Sequence, residues 1–541
     1  MLFFLQHANQ VDKPITFSRL YSCALSYAKI LKRRGIKPGE VVILILEHGE
    51  DLLNAFFGAV LIGAIPSMMP FLTEKLSPER YRSDLAALIE VTRPAAIVTY
   101  KQFEEEICAA QQETDSVRVV IVAEEVDSQN FAENSLPLVV NRTEDDIVLL
   151  QHSSGTTGLQ KGVALSHRAV FNQLEAYGRA IAISTQDVLV SWLPLYHDMG
   201  LIAGFLLPIL KRVPLVLMSP FDWVRAPYRL MQAISRYRGT MTWMPNFAFN
   251  FCAQKIRDRD MEGLDLSSWR MIVNCSEPVR WESHQAFYEK FKAFGLREIA
   301  LQTSYAMAEN VFGVTQSDLS RPPVVQEVDR EAFMVKRVAQ PALHGKAITK
   351  LMSSGQTLSN TNLRVLDEQG QDVLDGVIGE IAIQSDCMLT GYYNRPNITS
   401  KAFMDGWYLT GDYGFLSGRE LFVTGRKKDM LIIGGRNIYP QDIEAIACEV
   451  PGVHPGRVVA FGVFNERSGT EEVVLIAEVD GFQGDSEQAA IADQIRAHVT
   501  QHSAIALRYV QVVEAQWIMK TSSGKVARSA NREKFLAETN L

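Results

Sequence analysis

Through its first three hundred residues this chain alternates amphipathic helical stretches with short apolar runs, and that alternation narrows the folds open to it. Thr16-Phe-Ser-Arg-Leu-Tyr21 opens a helix that Gly35 and Pro38-Gly39 close, and Val41-Val-Ile-Leu-Ile-Leu46 reads as a buried strand. A helix near 51–63 and strands at 95–99, 117–122 and 147–150 repeat the pattern. Such alternation predicts an α/β sheet covered by helices. At 541 residues the chain exceeds one hydrophobic core, so two or three domains are expected.

Composition excludes several classes. A hydrophobic content of 47% with 21% charged residues is that of a soluble globular protein. The net charge of −8 argues against a nucleic-acid binder, which carries a basic face. Cys23, Cys108, Cys252, Cys275, Cys387 and Cys448 are scattered without a C-x-x-C pair, which predicts reduced thiols in a cytoplasmic protein and no zinc site. Leu52–Thr73 is uncharged and long enough to span a bilayer. Its Asn54, Gly58, Gly63, Pro66, Ser67 and Pro70 read instead as a helix turning into a buried strand, so no transmembrane segment is expected.

The chemistry begins at Gln151-His-Ser-Ser-Gly-Thr-Thr-Gly-Leu-Gln-Lys-Gly-Val163, just after the apolar run Ile147–Leu150. Glycines let backbone N–H groups close on anionic oxygens, the hydroxyls add donors, and Lys161 adds a positive charge. The G-x-x-x-x-G-K-[ST] nucleotide loop does not fit, because Gln160 stands five residues after Gly155 and Gly162 follows Lys161. Taken alone, such a cluster suits an ordinary turn as well as a phosphate loop. His197 and Asp198 interrupt an apolar strand-to-helix junction, where burial is costly without a partner or a task. Met271–Val279 and Ile299–Glu309 each run from an apolar strand into polar residues, where open α/β sheets hold ligands. Phe247, Phe249 and Phe251 suit either plain core or an acyl tunnel. After about residue 350 the runs shorten into a compact β unit, residues 424–440 concentrate charge and glycine as a hinge, and a small α+β domain follows.

Six of these stretches, in this order, resemble the adenylate-forming superfamily of acyl-CoA synthetases, luciferases and adenylation domains. They are Ser153–Gly158, Pro194–Gly200, Tyr305–Glu309, Tyr408–Asp412, Gly425–Asp429 and Thr521–Lys525. Within that superfamily the chain is most similar to the fatty acyl-AMP ligases, through Ser191–Leu201, Pro245–Phe249, Thr521–Lys525 and the 46 positions separating Glu309 from Gly355. The resemblance implies a large N-terminal lobe (residues 1–425) of two α/β subdomains plus a small β-barrel-like subdomain. A small mobile α+β C-terminal domain (426–541) would carry the catalytic lysine.

The implied reaction is ATP-dependent activation of a fatty or related carboxylic acid to acyl-AMP and pyrophosphate, then acyl transfer to an acyl carrier protein. The long insertion would hinder the domain movement that CoA needs. Both reactants are anions, so Mg²⁺ and positive or donor groups must act most strongly in the transition state. The resemblance gives ATP binding to Ser153, Ser154, Gly155, Thr156, Thr157, Gly158 and Lys161. It gives the adenine pocket to Cys275, Ser276, Glu277 and Pro278, together with Ser304, Tyr305, Ala306 and Met307. Asp412 and Arg426 would hold the ribose, and Glu309 would help hold Mg²⁺. Lys525 would bridge carboxylate and α-phosphate, a task suited to a flexible point charge. His197 would lie near the carboxylate, with Met244, Asn246 and Phe247 beside the acid, and Lys428 would be the hinge.

The chain departs from the family pattern at Gln160, Cys275-Ser276, Ala306 and Met519, the last standing where proline usually precedes the lysine loop. None of these removes a charged group from the chemistry. Two other readings stay open: an acyl-CoA ligase sharing the first step, and a non-catalytic nucleotide- or acyl-binding protein.

Overall fold

The computed structural model describes residues 2–4, 12–71, 78–110, 116–126, 140–153, 161–344, 347–433, 436–465, 470–479, 484–503, 505–521 and 524–539. They form two compact units: Met1–Pro323 with Ser354–Asn362 and Gln384–Tyr408, and Val324–Ser353 with Leu363–Ile383 and Leu409–Leu541.

The first unit is built on two seven-stranded sheets. One runs Gly391–Tyr392, Lys161–Ser166, Ile147–Ser153, Ile65–Met68, Val41–Ile45, Ala96–Thr99, Val119–Val122. Its last five strands are parallel, and the first three are joined antiparallel. Val41, Ile43 and Ile45 alternate onto one face and pack with Leu85, Leu88 and Ile89 of the helix Pro78–Thr92, as a period of two requires. The helix Phe17–Arg33 starts at Thr16, whose hydroxyl accepts from Arg19 N at 3.1 Å. The uncharged stretch after residue 52 divides into the helix Glu50–Leu61 and the buried strand Ile65–Met68. Among the described residues no helix is long and apolar enough to cross a membrane.

The second sheet runs Leu301–Thr303, Met271–Asn274, Met241–Met244, Leu189–Ser191, Leu215–Leu217, Leu2–Phe4, Lys13–Ile15, all parallel except the last pair. After Leu189–Ser191 the chain enters a π-helix, Met199–Leu206, rather than the α-helix that its apolar sequence predicts. Such turns are rare and concentrate at functional sites. Gly200 permits the tight entry, since a Cβ there would stand 2.2 Å from Pro194 O.

The second unit holds much of a five-stranded sheet, in which Trp407–Ser417 pairs antiparallel with Glu420–Arg426. Phe415 and Phe422 face each other across that pair, stacked at 4.8 Å. The hairpin Val325–Asp329/Ile348–Met352 and the turn Ala332–Lys336 pack on it through Val328 and Phe333. The C-terminal part is an α+β layer whose central strand, Thr470–Val479, lies between Val453–Asn465 and Leu507–Val513. Val473, Leu475 and Ala477 face the helices Pro440–Ala447 and Asp485–Ser503, while Val474 and Ile476 face Phe535 of Arg528–Thr539. This is the small α+β domain expected from the sequence.

Two buried histidines make the first unit acid-sensitive. His152 Nε2 lies 2.6 Å from Ser67 Oγ, and burial pushes its pKa down to about 4. His284 stacks on Phe249 at 4.9 Å, and burial pushes it down to about 3. In the unfolded chain both titrate near the ordinary value of 6.5. Below that value the unfolded chain takes up protons that the folded one refuses, so stability present above pH 6.5 is lost as pH falls toward 4. The loss is about 3 kcal/mol per histidine over that window. Urea midpoints at pH 7 and pH 5 should therefore differ strongly, and His152→Gln with His284→Phe should shrink the difference without abolishing it, because burial also pushes His48 down to about 4. An equally steep profile in the double variant would refute this origin.

Candidate active site

In the hairpin of Ile147–Ser153 and Lys161–Ser166, Ser153 stands opposite Lys161, so the intervening chain leaves and returns at one point. That intervening stretch contains Ser154, Gly155, Thr156, Thr157, Gly158 and Gln160, which lie outside the described residues. Gln151 Nε2 donates to Tyr196 O at 3.0 Å and so ties the loop's base to the His197 motif. The edge strand Gly391–Tyr392 sets Tyr392 opposite Val163, and Lys161 Nζ lies 4.7 Å from the centroid of that tyrosine ring. Tyr392 OH donates to Glu309 Oε1 at 2.9 Å and lies 2.9 Å from Tyr408 OH. One cation from the loop's base and one carboxylate thus contact the same buried phenol.

Glu309 sits on a tight turn closed by Met307 N donating to Phe312 O at 2.8 Å and by the bridge of Ala306 to Gly313. Leu389 N donates to Glu309 O at 2.8 Å, and Asn310 Nδ2 to Gly313 O at 2.7 Å. Val311 has φ +62°, a region that costs a β-branched residue about 1–3 kcal/mol and marks functional turns. Just upstream, the Ser304 hydroxyl donates to Thr315 O at 2.7 Å, and Tyr305 N donates to Thr315 Oγ1 at 3.0 Å. Tyr305 is nearly buried; Ala306 and Met307 are half-buried.

His197 Nδ1 lies 2.6 Å from Asp198 Oδ1, at the start of the π-helix. Met199 N donates to the same Asp198 Oδ1 at 2.7 Å, so the carboxylate ties the histidine to the first turn of the π-helix. Cys275 is buried with Sγ 3.0 Å from Met199 Sδ, so its extra bulk points at that methionine. Ser276 takes φ +68°, and Pro278 is exposed. The Glu277 carboxylate accepts from Phe247 N at 2.9 Å and so caps the helix Asn246–Lys255. Asn246 joins that helix to its neighbours, accepting from Asn274 Nδ2 and Arg280 N and donating to Ser283 Oγ. Met244 is buried. The phenylalanine stripe divides: Phe249 is core, whereas Phe247 and Phe251 lie against Trp223, which stacks on Trp192 at 3.6 Å.

The second unit carries the remaining candidates. Asp412 stands opposite Arg426 in register, with Oδ1 3.6 Å from Arg426 Nε. Lys428 is exposed on the turn Lys427–Asp429, flanked by Lys427 paired to Glu380 at 2.7 Å and by Asp429 3.9 Å from Arg528. A Cβ at Gly425 would stand 2.8 Å from the Tyr439 ring, besides displacing the movable Gln441 side chain. Lys525 closes a turn in which its N–H donates to Thr521 Oγ1 at 3.2 Å and its carbonyl accepts from Thr521 N at 2.7 Å.

Sequence reasoning missed Tyr392, whose partners Lys161 and Glu309 are distant in sequence and are brought to its ring and hydroxyl by the folded chain. It also missed Asn531. This fully buried residue accepts from Met519 N at 2.7 Å and donates to Met519 O at 2.9 Å and Ala527 O at 2.8 Å. It clamps both arms of the lysine loop. A proline at 519 could not donate to it, so the departure at Met519 supplies an N–H that Asn531 uses. Asn531→Ala takes from Met519 N its acceptor, at about 1–3 kcal/mol where that group stays buried, while Met519 O keeps Ala527 N and Ala527 O keeps the backbone N–H of residue 531. The expected result is a clear fall in Tm and in the pyrophosphate-exchange rate, with acid KM unchanged. A wild-type rate in a folded variant would show that the clamp does not serve Lys525.

The family model of the AMP-binding enzyme matches residues 5–393. The medium-chain-fatty-acid–[acyl-carrier-protein] ligase JamA of Moorena producens is 30% identical across 99% of this chain and 92% of its own length. The 4-hydroxyphenylalkanoate adenylyltransferase of Mycobacterium marinum is 30% identical across 96% of this chain and 86% of its own. A solved structure from the fatty acyl-adenylate ligases of E. coli and L. pneumophila superposes with a TM-score of 0.92. It shares 28% identity and covers 100% of this chain and 96% of that one. By match and by fold, the chain belongs to the AMP-binding enzyme family.

Proposed function

We propose that this protein joins a fatty or related carboxylic acid to ATP, giving acyl-AMP and pyrophosphate, and passes the acyl group to the thiol of an acyl carrier protein. The observation that carries the reading is the cluster around Tyr392, where Lys161 at the root of the Ser/Thr/Gly loop meets the same side chain as Glu309. Ser153, Ser154, Gly155, Thr156, Thr157 and Gly158 then receive the β- and γ-phosphates. Ser276, Glu277, Pro278, Ser304, Tyr305, Ala306 and Met307 form the adenine pocket, and Asp412 with Arg426 takes the ribose hydroxyls.

Among the described residues no three His, Cys, Asp or Glu side chains converge as a metal cage. Mg²⁺ does not need one, since it binds through one or two carboxylates plus phosphate oxygens, and Glu309 fits that role. Bound with the nucleotide, Mg²⁺ would neutralise charge on the phosphate oxygens. His197, fixed by Asp198, orients the acid beside Met244, Asn246 and Phe247. A carboxylate oxygen attacks the α-phosphorus, the bond to the bridging oxygen breaks, and pyrophosphate leaves with the electron pair. Lys525 holds the two anions together during that step. In the second half-reaction the carrier thiol, having given its proton to solvent, attacks the acyl carbon, and AMP leaves.

The relative from Moorena producens is named an acyl-carrier-protein ligase, which supports that acceptor. The test is pyrophosphate exchange over a panel of aliphatic and aryl acids, with intact mass of the adenylate, followed by CoA or carrier protein as acceptor. Exchange with at least one acid and a carrier thioester are expected. Nucleotide binding without exchange for any acid would overturn the enzymatic reading, and a CoA thioester alone would overturn the acceptor.

A further inference from the structure

We propose that Tyr392 and Tyr408 are positioning residues for Glu309, acting as a directed hydroxyl relay that fixes the plane of its carboxylate for the metal-bound nucleotide. The inference rests on the reading above that Glu309 helps hold Mg²⁺. A carboxylate only accepts, so the single phenolic proton of Tyr392 goes to Glu309 Oε1 at 2.9 Å. The 2.9 Å contact of Tyr392 OH with Tyr408 OH then requires the Tyr408 proton. The direction is thereby set: Tyr408 to Tyr392 to Glu309. Chains of hydroxyls ending on an anion reinforce one another in a dry environment.

The rings come from different sheets. Tyr392 is held by its pairing with Lys161–Ser166 and by its N–H donating to Thr399 Oγ1 at 2.9 Å. Tyr408 pairs with Phe403, whose ring lies edge-on at 5.4 Å. Both tyrosines are nearly buried, at 5% and 3% exposure. Lys161 rests on the Tyr392 ring while Glu309 takes its hydroxyl, so one side chain places both charges of the site. The strained backbone at Val311 shows that the turn itself is held against its own preference, as a site geometry worth fixing would be.

The test compares wild type, Tyr392→Phe, Tyr408→Phe, the double variant and Glu309→Gln. Binding of Mn²⁺ with a non-hydrolysable ATP analogue is read by electron paramagnetic resonance and calorimetry, and binding of the analogue without metal is the control. Tyr392→Phe should weaken metal-dependent binding about 10- to 100-fold, the range seen when the partner of a metal-holding group is lost. Metal-free binding should not change. Tyr408→Phe should have a smaller effect, and the double variant should be no worse than Tyr392→Phe, because Tyr408 acts through Tyr392. Wild-type metal dependence in Tyr392→Phe, additive losses in the double variant, or equal loss of metal-free binding would overturn the relay. If Glu309→Gln also leaves metal dependence unchanged, the assignment of Glu309 fails first. If Glu309→Gln weakens it and Tyr392→Phe does not, the relay alone fails.

Discussion

Lys525→Ala is expected to lower acyl-AMP formation about 10²–10³-fold, the usual effect of deleting one charged donor aimed at a developing transition state. Nucleotide affinity should change little, because in the proposed mechanism the lysine acts where carboxylate and α-phosphate crowd together, which happens only during reaction. The turn that carries it is tightly specified: Thr521 bonds both the N–H and the carbonyl of Lys525, and Asn531 clamps Met519 and Ala527 on either side. A long flexible ammonium on a fixed loop places charge without fixing itself permanently. Lys525→Arg should therefore not restore the rate, since a planar fork carries its charge differently. Pyrophosphate exchange against calorimetric ATP binding checks this, and exchange at the wild-type rate in the alanine variant would remove Lys525 from the chemistry.

The framework of the fold was legible wherever one local rule decided the structure. Thr16 caps its helix as its side chain predicts, and the alternation of Val41, Ile43 and Ile45 sets the face of their strand. The uncharged stretch after residue 52 divides where its glycines and prolines predict. Legibility failed where two distant segments decide together. The apolar run Met199–Leu206 has no residue that signals a π-helix; the approach of Gly200 to Pro194 O belongs to the folded chain. Phe247 and Phe251 share one helix face by their i, i+4 spacing and Phe249 takes the other, but which face meets His284 and which meets Trp223 is decided by the folded chain. Glu277 was expected beside a base, but its carboxylate also caps the helix starting at Asn246, a contact that depends on two loops meeting. Tyr392 and Asn531 escaped for the same reason.

A gain of CoA use is the second large effect, and it follows from how the segment 324–353 is fastened. Arg330 Nη1 donates to His502 O at 2.9 Å, and its Nη2 donates to Ile348 O at 2.8 Å. His502 lies in the last turn of Asp485–Ser503, where carbonyls lack helical partners and a cation is favoured. Met334 packs both on the sheet residues around Phe415 and on the core beneath Pro440–Ala447 and Asp485–Ser503. The resemblance implies that CoA use needs the C-terminal domain to turn about Lys428, and such a turn would break these contacts. A hydrogen bond to a charged group contributes about 1.5–3 kcal/mol, and the partly buried Met334 adds its packing to that. Arg330→Ala with Met334→Ala should therefore raise the rate of CoA thioester formation at least about 10- to 100-fold, by the tenfold change that each 1.4 kcal/mol gives. Acyl-AMP formation should stay at its wild-type rate, because neither residue touches a reactant in the proposed mechanism. Thioester yield with CoA and with carrier protein, measured side by side from preformed adenylate, separates the cases. If CoA thioester stays at background while acyl-AMP still forms, these contacts are structural fastening with no part in choosing the acceptor.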